Sequence, residues 1–278
     1  MLYLNYRNLI GEMVMKLYYN DEFFSSIING FEALYEVDAV ALGGSRSTGE
    51  SDEKSDYDIY VYCTKELSTD KKAEIVKPYC SEAEIANCYW EPEDNCILKN
   101  GIGLDIIYRN PEIFENYLKV VVDGGKSFNG YTTCFWHNII KSKVLFDKSG
   151  RFTETQKKYD IAFPPELKKN IIENNRKLLN GVLPSYDKQI EKAYSRGDIV
   201  SVHHRTTEFL ASYFDIIFAL NELTHPGEKR LVYLCKKYCK ILPESFEENI
   251  NALLSTVGRE NPTPIIKDMI EKLDAVIV

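Results

Sequence analysis

Two carboxylates, Asp56 and Asp58, stand two residues apart in the stretch GGSRSTGESDEKSDYDIYVY at residues 43–62. In a β-strand, side chains at positions i and i+2 point to the same face, so we expect these acids to project together. Neighbouring carboxylates repel each other unless a proton or a cation lies between them. Their oxygen atoms suit Mg²⁺, which takes one or two carboxylates together with substrate phosphates and water. The spacing therefore predicts a magnesium site.

The glycine turn that precedes these acids has the composition of an anion-binding site. Gly43 and Gly44 let the backbone approach a phosphate closely, and the N–H groups of such a turn form a concavity that attracts anions. Ser45 adds a hydroxyl donor, and Arg46 adds a charged donor that can stabilise a phosphoryl group during its transfer. We predict that these four residues bind a nucleotide.

A third acid, Asp105, lies between Leu104 and Ile106 in the apolar run GLDIIY. An isolated carboxylate among buried strand residues is costly without a partner, and a metal shared with Asp56 and Asp58 supplies one. Metals held by such acids activate an attacking oxygen and stabilise a leaving one. The predicted chemistry is nucleotidyl transfer, in which a hydroxyl attacks the α-phosphate of a nucleoside triphosphate and pyrophosphate leaves.

A sheet must bring these residues together, and apolar runs of strand length predict one. VDAVAL at 37–42 ends at the glycine turn, DIYVYC at 58–63 carries Asp58, and GLDIIY at 103–108 carries Asp105. Further strands are predicted at 84–90, 96–99 and 142–146, and helices at 1–35, 69–80 and 112–122.

From about residue 153 onward the apolar spacing becomes helical, most clearly along one stripe within residues 198–223. We therefore predict an α+β fold. A mixed-sheet nucleotidyltransferase domain with N-terminal helices covers residues 1–155, and a C-terminal helical bundle domain that binds the acceptor covers residues 156–278.

Acids of the long helix are candidates for the general base. Glu208, Asp215 and Glu222 are seven residues apart, which predicts one shared helix face. Glu208 or Asp215 could take the proton of the acceptor hydroxyl. Two alternatives stay open: the face is merely solvated, or Asp105 takes the proton.

Composition limits the class of partner. The 278 residues carry a net charge of −8 and the pI is about 5.2. Long nucleic acid prefers a basic surface, so this balance disfavours it and favours a neutral or cationic small substrate. We expect no membrane segment, because the chain has no run of about 18 apolar residues.

The seven cysteines include no CxxC pair, and the N-terminal stretch MLYLNYRNLIGEMVMK lacks the features of a signal peptide. We interpret the cysteines as reduced thiols of a cytoplasmic protein. A separate acidic cluster occurs in and just before the predicted hairpin, and we interpret it as an exposed hairpin surface in preference to a site for a cationic acceptor. Its members are Glu82, Glu84, Glu91, Glu93 and Asp94.

The arrangement Gly-Ser, ten residues, Asp-x-Asp and a later apolar-Asp-apolar strand resembles the DNA polymerase β-like nucleotidyltransferase superfamily. GSRSTG followed by SDYD is similar to the minimal and antibiotic (aminoglycoside or lincosamide) nucleotidyltransferases. The resemblance extends over about residues 37–150, including TCFWHNIIKSKVLFDKSG at 133–150. Tyr57 departs from the aliphatic residue that is frequent between the two acids.

By this resemblance Gly44 and Ser45 match the phosphate-binding turn, and Asp56, Asp58 and Asp105 match the metal-binding acids. The resemblance implies one or two Mg²⁺ ions, ATP or another nucleoside triphosphate as donor, and AMP as the transferred group. It implies a hydroxyl on a small molecule, such as an antibiotic, as the acceptor.

The sequence also leaves two other functions open. The chain could be a nucleotide-binding regulator or antitoxin-like partner with weak or no catalysis, although its three acids argue against that. It could instead transfer AMP to a protein. The sequence does not identify the acceptor or the oligomeric state.

Overall fold

A computed structural model describes residues 21–49 and 55–277. The predicted N-terminal helices therefore lie partly outside the described residues. Helix α1, Glu22–Ala33, begins at Asp21, whose side chain accepts hydrogen bonds from the N–H groups of Phe23 and Phe24. Its buried face packs on the sheet that follows.

The α+β class and the mixed sheet are confirmed. The described residues form one sheet of six strands in the order β3-β4-β5-β2-β1-β6, in which β2 and β5 are parallel and the other pairs are antiparallel. The strands are β1 Val37–Leu42, β2 Tyr57–Cys63, β3 Cys80–Asn87, β4 Glu93–Leu98, β5 Gly103–Arg109 and β6 Lys143–Asp147.

Helices connect these strands. They are α2 Gly44–Thr48, α3 Thr69–Val76, α4 Pro111–Leu118, α5 Cys134–Lys141 and α6 Arg151–Tyr159, with a 3₁₀ turn at Lys77–Tyr79 and a π turn at Lys119–Asp123. The short helix α2 stands where the sequence predicts only a tight turn.

One face of the sheet is apolar, and the other carries the polar side chains of β2, β4 and β5, because strand side chains alternate. On β2 the apolar face carries Tyr57, Ile59 and Val61, which join the buried core under α1. Asp58 and Tyr60 occupy the other face of the same strand. We call this side of the sheet the acid face; it carries Asp58, Tyr60, Glu93, Asn95, Asp105 and Arg109.

The helices predicted after the sheet are confirmed. They are α7 Pro165–Arg176, a π turn at Lys177–Gly181, α8 Tyr186–Ser195, α9 Ile199–Leu220, α10 Leu231–Tyr238, α11 Phe246–Thr256 and α12 Thr263–Asp274. They enclose a second apolar core around α9. The C-terminal half of α9, residues 211–220, is buried on every side, whereas its sequence predicts a single apolar stripe.

By internal contacts the chain forms two compact units. Among the described residues, the sheet unit contains 21–49, 55–116 and 138–160, and the helical unit contains 117–137 and 161–277. The segment 117–137 thus groups with the helices, although it precedes the predicted boundary after residue 155. The assignment of separate catalytic and acceptor-binding roles to 1–155 and 156–278 stays a prediction.

None of the helices in the described ranges combines the length and the apolar character needed to cross a bilayer.

Candidate active site

Strand pairing brings two of the predicted acids side by side. Asp58 on β2 and Asp105 on β5 are direct partners in the parallel pair, so their side chains leave the sheet on the same face. Both are half-buried. Their neighbours in the next row, Tyr57 and Leu104, point into the apolar core on the opposite face. The alternation therefore holds both carboxylates at the protein surface without burying them.

Asp56 lies one residue before β2 and is exposed, so the strand begins one position later than the shared-face argument assumes. Its carboxylate nevertheless turns toward β5. A Cβ atom placed on Gly103 would lie 2.4 Å from Asp56 Oδ1, so the missing side chain of Gly103 makes room for this acid. The third predicted ligand is thus next to the strand that carries Asp105.

The glycine turn lies directly against Asp58. The Gly43 N–H donates to the Asp58 carbonyl oxygen over 2.8 Å, and α2 then begins at Gly44, which has a φ of +58°. A Cβ atom on Gly44 would lie 1.8 Å from Asp58 Oδ2. Only glycine allows both this backbone conformation and the close approach of the carboxylate. Ser45 follows in the first turn of α2 and is half-buried.

Gly43 is required for a different reason, because the ring of Tyr60 packs on it. A Cβ atom on Gly43 would lie 2.3 Å from Tyr60 Cε2. Tyr60 lies two residues after Asp58 on the acid face, and its ring packs against the glycine turn. The sequence prediction missed this residue, although its i+2 spacing from Asp58 was visible.

Arg46 holds the backbone of the acid-bearing segment. Its Nε donates to the carbonyl oxygens of Ser55, at 2.9 Å, and Asp56, at 3.2 Å, and its guanidinium stacks 4.0 Å from the centre of the Tyr57 ring. These contacts give Arg46 a clear role in positioning Asp56. The predicted contact of Arg46 with phosphate stays a prediction.

Lys143 is a further cation at this turn that the sequence prediction missed. It lies on β6, and its Nζ donates to the carbonyl oxygen of Arg46 over 3.4 Å. Because Lys143 pairs with Leu42 at the end of β1, strand pairing and not sequence proximity brings it to α2.

Asp105 is positioned from the neighbouring strand. Asn95 on β4 pairs with Asp105, and its amide donates to Asp105 Oδ1 over 2.8 Å. Asn87 on β3 donates in turn to the side-chain oxygen of Asn95. This chain of amides fixes the orientation of one catalytic candidate and was not visible in the sequence, because it depends on pairing between strands.

The interpretation of the acidic hairpin as an exposed surface is wrong for two of its members. Asp94 is fully buried and accepts hydrogen bonds from the Ala86 N–H and the Tyr108 hydroxyl, each over 2.6 Å. Glu93 is only 9% exposed. Burial raises the pKa of the Glu93 carboxyl, and the negative charge of Asp105 raises it further. Both residues are buried because β4 begins at Glu93, so they are part of the sheet and not of the turn.

Arg109 completes the acid face at the far end of β5. Its guanidinium is buried, binds both oxygens of Glu91 at 2.9 and 3.1 Å, and stacks 3.9 Å from the centre of the Tyr60 ring. It also donates to Asn138 Oδ1 over 2.6 Å. The signal for Arg109 was its i+4 spacing from Asp105, which places both on one face of the strand.

The residues fit a magnesium ion by the chemistry of their oxygen atoms. The described residues contain no ready-made cluster of three or more histidine, cysteine or acidic side chains at metal-binding spacing. Mg²⁺ does not require one, because one or two carboxylates suffice when substrate phosphates and water supply the remaining oxygens. Asp58 and Asp105 are such a pair, and the backbone of Gly44 lies directly against the Asp58 carboxylate.

Glu208 lies half-buried on α9, in the helical unit, and its role as a base stays a prediction. The face that it was expected to share with Asp215 and Glu222 does not form. Asp215 is buried, and Glu222 lies beyond the end of α9, where it pairs with Lys168 at 2.8 Å. The seven-residue spacing failed because α9 ends at Leu220 and its second half is surrounded by protein.

Asp215 has a structural environment. Its carboxylate accepts hydrogen bonds from the Thr132 N–H at 3.1 Å, the Thr132 hydroxyl at 2.6 Å and the Asn175 amide at 3.2 Å. Burial raises the pKa of Asp215 to about 7, while these donors act in the opposite direction. A buried acid surrounded by donors of its own unit holds segments together, so the structure does not support Asp215 as the base.

Part of the chain matches a known protein family. Residues 25–123 match the family model of the nucleotidyltransferase domain. That range contains all of the acids on β2 and β5, the glycine turn and the hairpin. No curated protein gives a significant sequence match to the chain.

Two solved structures resemble the chain at 12% identity. A nucleotidyltransferase-like protein from Exiguobacterium sibiricum 255-15 has a TM-score of 0.39 and aligns over 88% of this chain and 69% of its own. An aminoglycoside 6-adenyltransferase from Bacillus subtilis has a TM-score of 0.32 and aligns over 91% of this chain and 88% of its own. The predicted resemblance is confirmed at the level of the domain, because residues 25–123 of this chain are a nucleotidyltransferase domain.

Proposed function

We propose that the protein transfers AMP from ATP to a hydroxyl group of a small molecule in a magnesium-dependent reaction. The observation that carries this proposal is the pairing of Asp58 with Asp105 on parallel strands, directly beside the glycine turn. Both carboxylates are only half-buried and leave the sheet on the same face, so a ligand can reach them.

Asp58 and Asp105 would hold Mg²⁺, with Asp56 joining them from the residue before β2. When bound, the metal supplies positive charge for the triphosphate and for the oxygen atoms that gain charge during transfer. The chain's own contribution is positioning. Gly43, Gly44 and Ser45 would receive phosphate oxygens.

The acceptor hydroxyl must lose a proton as it attacks the α-phosphate. Asp105 and Glu208 remain the two candidates for the base. Asp105 has the stronger case, because its Oδ1 is held by Asn95 and it is already beside Asp58. An Asp105→Asn variant would lose both metal binding and base function, whereas Glu208→Gln would lose only the latter.

The acceptor class follows from charge and resemblance. A net charge of −8 favours a neutral or cationic small molecule over nucleic acid, and the sequence resemblance suggests an aminoglycoside or lincosamide antibiotic. We place the reaction in the cytoplasm. All seven cysteines are free thiols, which suits a reducing compartment that also supplies ATP.

The test is to incubate the protein with α-labelled ATP, Mg²⁺ and a panel of small hydroxyl compounds, and to measure pyrophosphate release and the fate of the label. We expect label in the small-molecule fraction, dependent on Mg²⁺ and abolished by EDTA. Label on protein would replace this proposal with protein AMPylation. Absence of pyrophosphate release with every acceptor would favour a regulatory role.

A further inference from the structure

The Tyr60 hydroxyl is a buried group whose proton the chain does not use. Tyr60 is buried on the acid face, and its hydroxyl accepts a hydrogen bond from the Asn138 side-chain amide over 2.5 Å. Among residues 21–49 and 55–277, no atom accepts a hydrogen bond from this hydroxyl in return. A buried donor without an acceptor costs free energy, so this proton indicates an acceptor from outside the chain.

Neighbouring side chains determine which way the proton can point. Arg109 binds both oxygens of Glu91, and its Nη1 donates to Asn138 Oδ1 over 2.6 Å. Because a guanidinium only donates, Asn138 must turn its oxygen to Arg109 and its NH₂ group to Tyr60. The same guanidinium stacks 3.9 Å from the centre of the Tyr60 ring and so holds the plane of the ring. The hydroxyl proton therefore points away from Asn138.

The hydroxyl is a neutral donor. Burial raises the pKa of Tyr60, although the charge of Arg109 and the hydrogen bond from Asn138 act in the opposite direction. A protonated phenol donates one hydrogen bond and carries no charge of its own. It can therefore bind an anionic oxygen beside the Asp58 carboxylate without adding to the repulsion there.

This donor lies at the first residue of the glycine turn. A Cβ atom on Gly43 would lie 2.9 Å from the Tyr60 hydroxyl oxygen, and Gly44 lies against the Asp58 carboxylate in the same way. The Gly43 N–H is already used, because it donates to the Asp58 carbonyl oxygen. The turn thus has one backbone donor fewer than its sequence predicts, and the Tyr60 hydroxyl is a donor at that same residue.

We propose that the Tyr60 hydroxyl binds the nucleotide by donating a hydrogen bond to one of its phosphate oxygens, and that Arg109 and Asn138 are positioning residues for it. Phosphate oxygens are charged acceptors, which form stronger hydrogen bonds than neutral ones. The inference rests on the proposed function, because it takes the glycine turn as the phosphate site. It adds a side-chain donor from β2 to those predicted at residues 43–46.

The test measures the binding of ATP and of inorganic tripolyphosphate, each with Mg²⁺, to the full-length protein without an acceptor. Tyr60→Phe removes the hydroxyl and keeps the ring that packs on Gly43. We expect the dissociation constants of both ligands to rise about tenfold or more, as for the loss of a hydrogen bond to a charged group. An equal loss for both ligands assigns the contact to phosphate, because tripolyphosphate has no nucleoside.

Tyr62→Phe is the matched control. Tyr62 lies two residues later on the same face of β2, is buried, and has a hydroxyl without a hydrogen-bond partner in the described part of the chain. Its ring packs on Phe114 and Phe152 and not on the turn. This variant should bind both ligands as the wild type does. Thermal denaturation checks that each variant is folded.

Asn138→Asp tests the orientation of the hydroxyl while keeping the hydroxyl itself. The carboxylate still accepts from Arg109 and also accepts the proton of Tyr60, so the affinity for both ligands should fall. Its negative charge also repels phosphate, so the same substitution is made in the Tyr60→Phe variant, where only the charge acts. The loss of affinity should be smaller in that background.

Three results would overturn the proposal. They are unchanged affinity in Tyr60→Phe, a loss of affinity for ATP but not for tripolyphosphate, and an equal loss from Asn138→Asp in both backgrounds. Pyrophosphate release judges the proposed function separately. Transfer of AMP together with unchanged affinity in Tyr60→Phe would keep the reaction and reject this role of Tyr60. Affinity that depends on the hydroxyl without any transfer would keep the role and reject the reaction, and a wild type that binds neither ligand would reject both.

Discussion

Carboxylates in the two units of this protein differ in how many hydrogen bonds they accept from the chain. Asp215, in the helical unit, accepts three hydrogen bonds from its own unit and is buried. On the acid face, Asp105 accepts one from Asn95 and is half-buried. An acid whose oxygens are already bonded holds structure, whereas acids with spare acceptor capacity at a surface can bind a ligand.

The position of a carboxylate should also decide whether its removal affects the reaction or the stability of the fold. Strand pairing sets Asp58 beside Asp105 with their side chains half-exposed, so like charges are kept close without being buried. Removing such a charge should affect the reaction more than the fold. The reverse should hold for Asp215, and the following experiments test this contrast.

The largest expected effect is on Asp58. Asp58→Asn should lower the rate of pyrophosphate release by at least about 10²–10³-fold, because it removes charge that stabilises the transition state. The free energy of unfolding should change by less than about 1 kcal/mol. Asp70→Asn, at an exposed position in the first turn of α3, is the control and should retain full activity. Retained turnover in Asp58→Asn would contradict the site assignment.

Asp215→Ala should show the opposite pattern. The substitution leaves the Thr132 N–H, the Thr132 hydroxyl and the Asn175 amide without this acceptor, which should lower the free energy of unfolding by about 2–3 kcal/mol. Urea denaturation measures the loss, and Asp215→Asn, which keeps one acceptor oxygen, should lose less. Transfer activity per folded molecule should not change. A loss of activity without a loss of stability would return Asp215 to the candidate bases.

Because the pKa of Asp215 is raised, its contribution to the free energy of unfolding should depend on pH. Burial holds the pKa at about 7 in the folded protein, above the ordinary value of 3.8, so the folded state binds the proton more tightly than the unfolded state. Stability from this group is therefore complete below about pH 4 and is lost as the pH rises toward 7. The slope approaches about 1.4 kcal/mol per pH unit.

The measurement is the difference in free energy of unfolding between the wild type and Asp215→Asn from pH 4.5 to 8. The wild type should lose stability relative to Asp215→Asn as the pH rises to about 7, and the difference should then stay constant. A constant difference would show that Asp215 does not titrate in this range.

The smallest expected effect concerns Arg46. Arg46→Lys keeps the charge but loses the planar contact with Tyr57 and the paired contacts with the backbone of residues 55 and 56. We expect kcat to fall about tenfold, as for the loss of a hydrogen bond to a charged group, with the KM for ATP unchanged. A higher KM with unchanged kcat would support the original prediction that Arg46 binds phosphate.

Local patterns predicted most of the sheet. The apolar run at 37–42 matches β1, and the acid-bearing runs match β2 and β5 to within one residue. The two glycines predicted that another group approaches the backbone closely at Gly43–Gly44. In the structure the Tyr60 ring lies against Gly43 and the Asp58 carboxylate lies against Gly44. These features depend on residues near each other in sequence.

Contacts between distant residues were not predictable in the same way. Asp94 looked exposed in a run of acids, because nothing local indicates the Tyr108 hydroxyl that bonds it. Asn95 became visible as a partner of Asp105 only through the pairing of β4 with β5. A one-residue shift in that pairing would turn Asn95 to the opposite face, and the sequence of one strand cannot determine it.

The parallel pairing of β2 with β5 has a consequence for folding. The segment between these strands contains α3 and the whole β3–β4 hairpin, so Asp58 and Asp105 are direct partners although they are far apart in sequence. Contacts between residues so far apart in sequence form slowly, because loop closure must precede any gain from the pairing. During refolding from urea, nucleotide binding should therefore return with the slowest phase, after the helical signal has recovered.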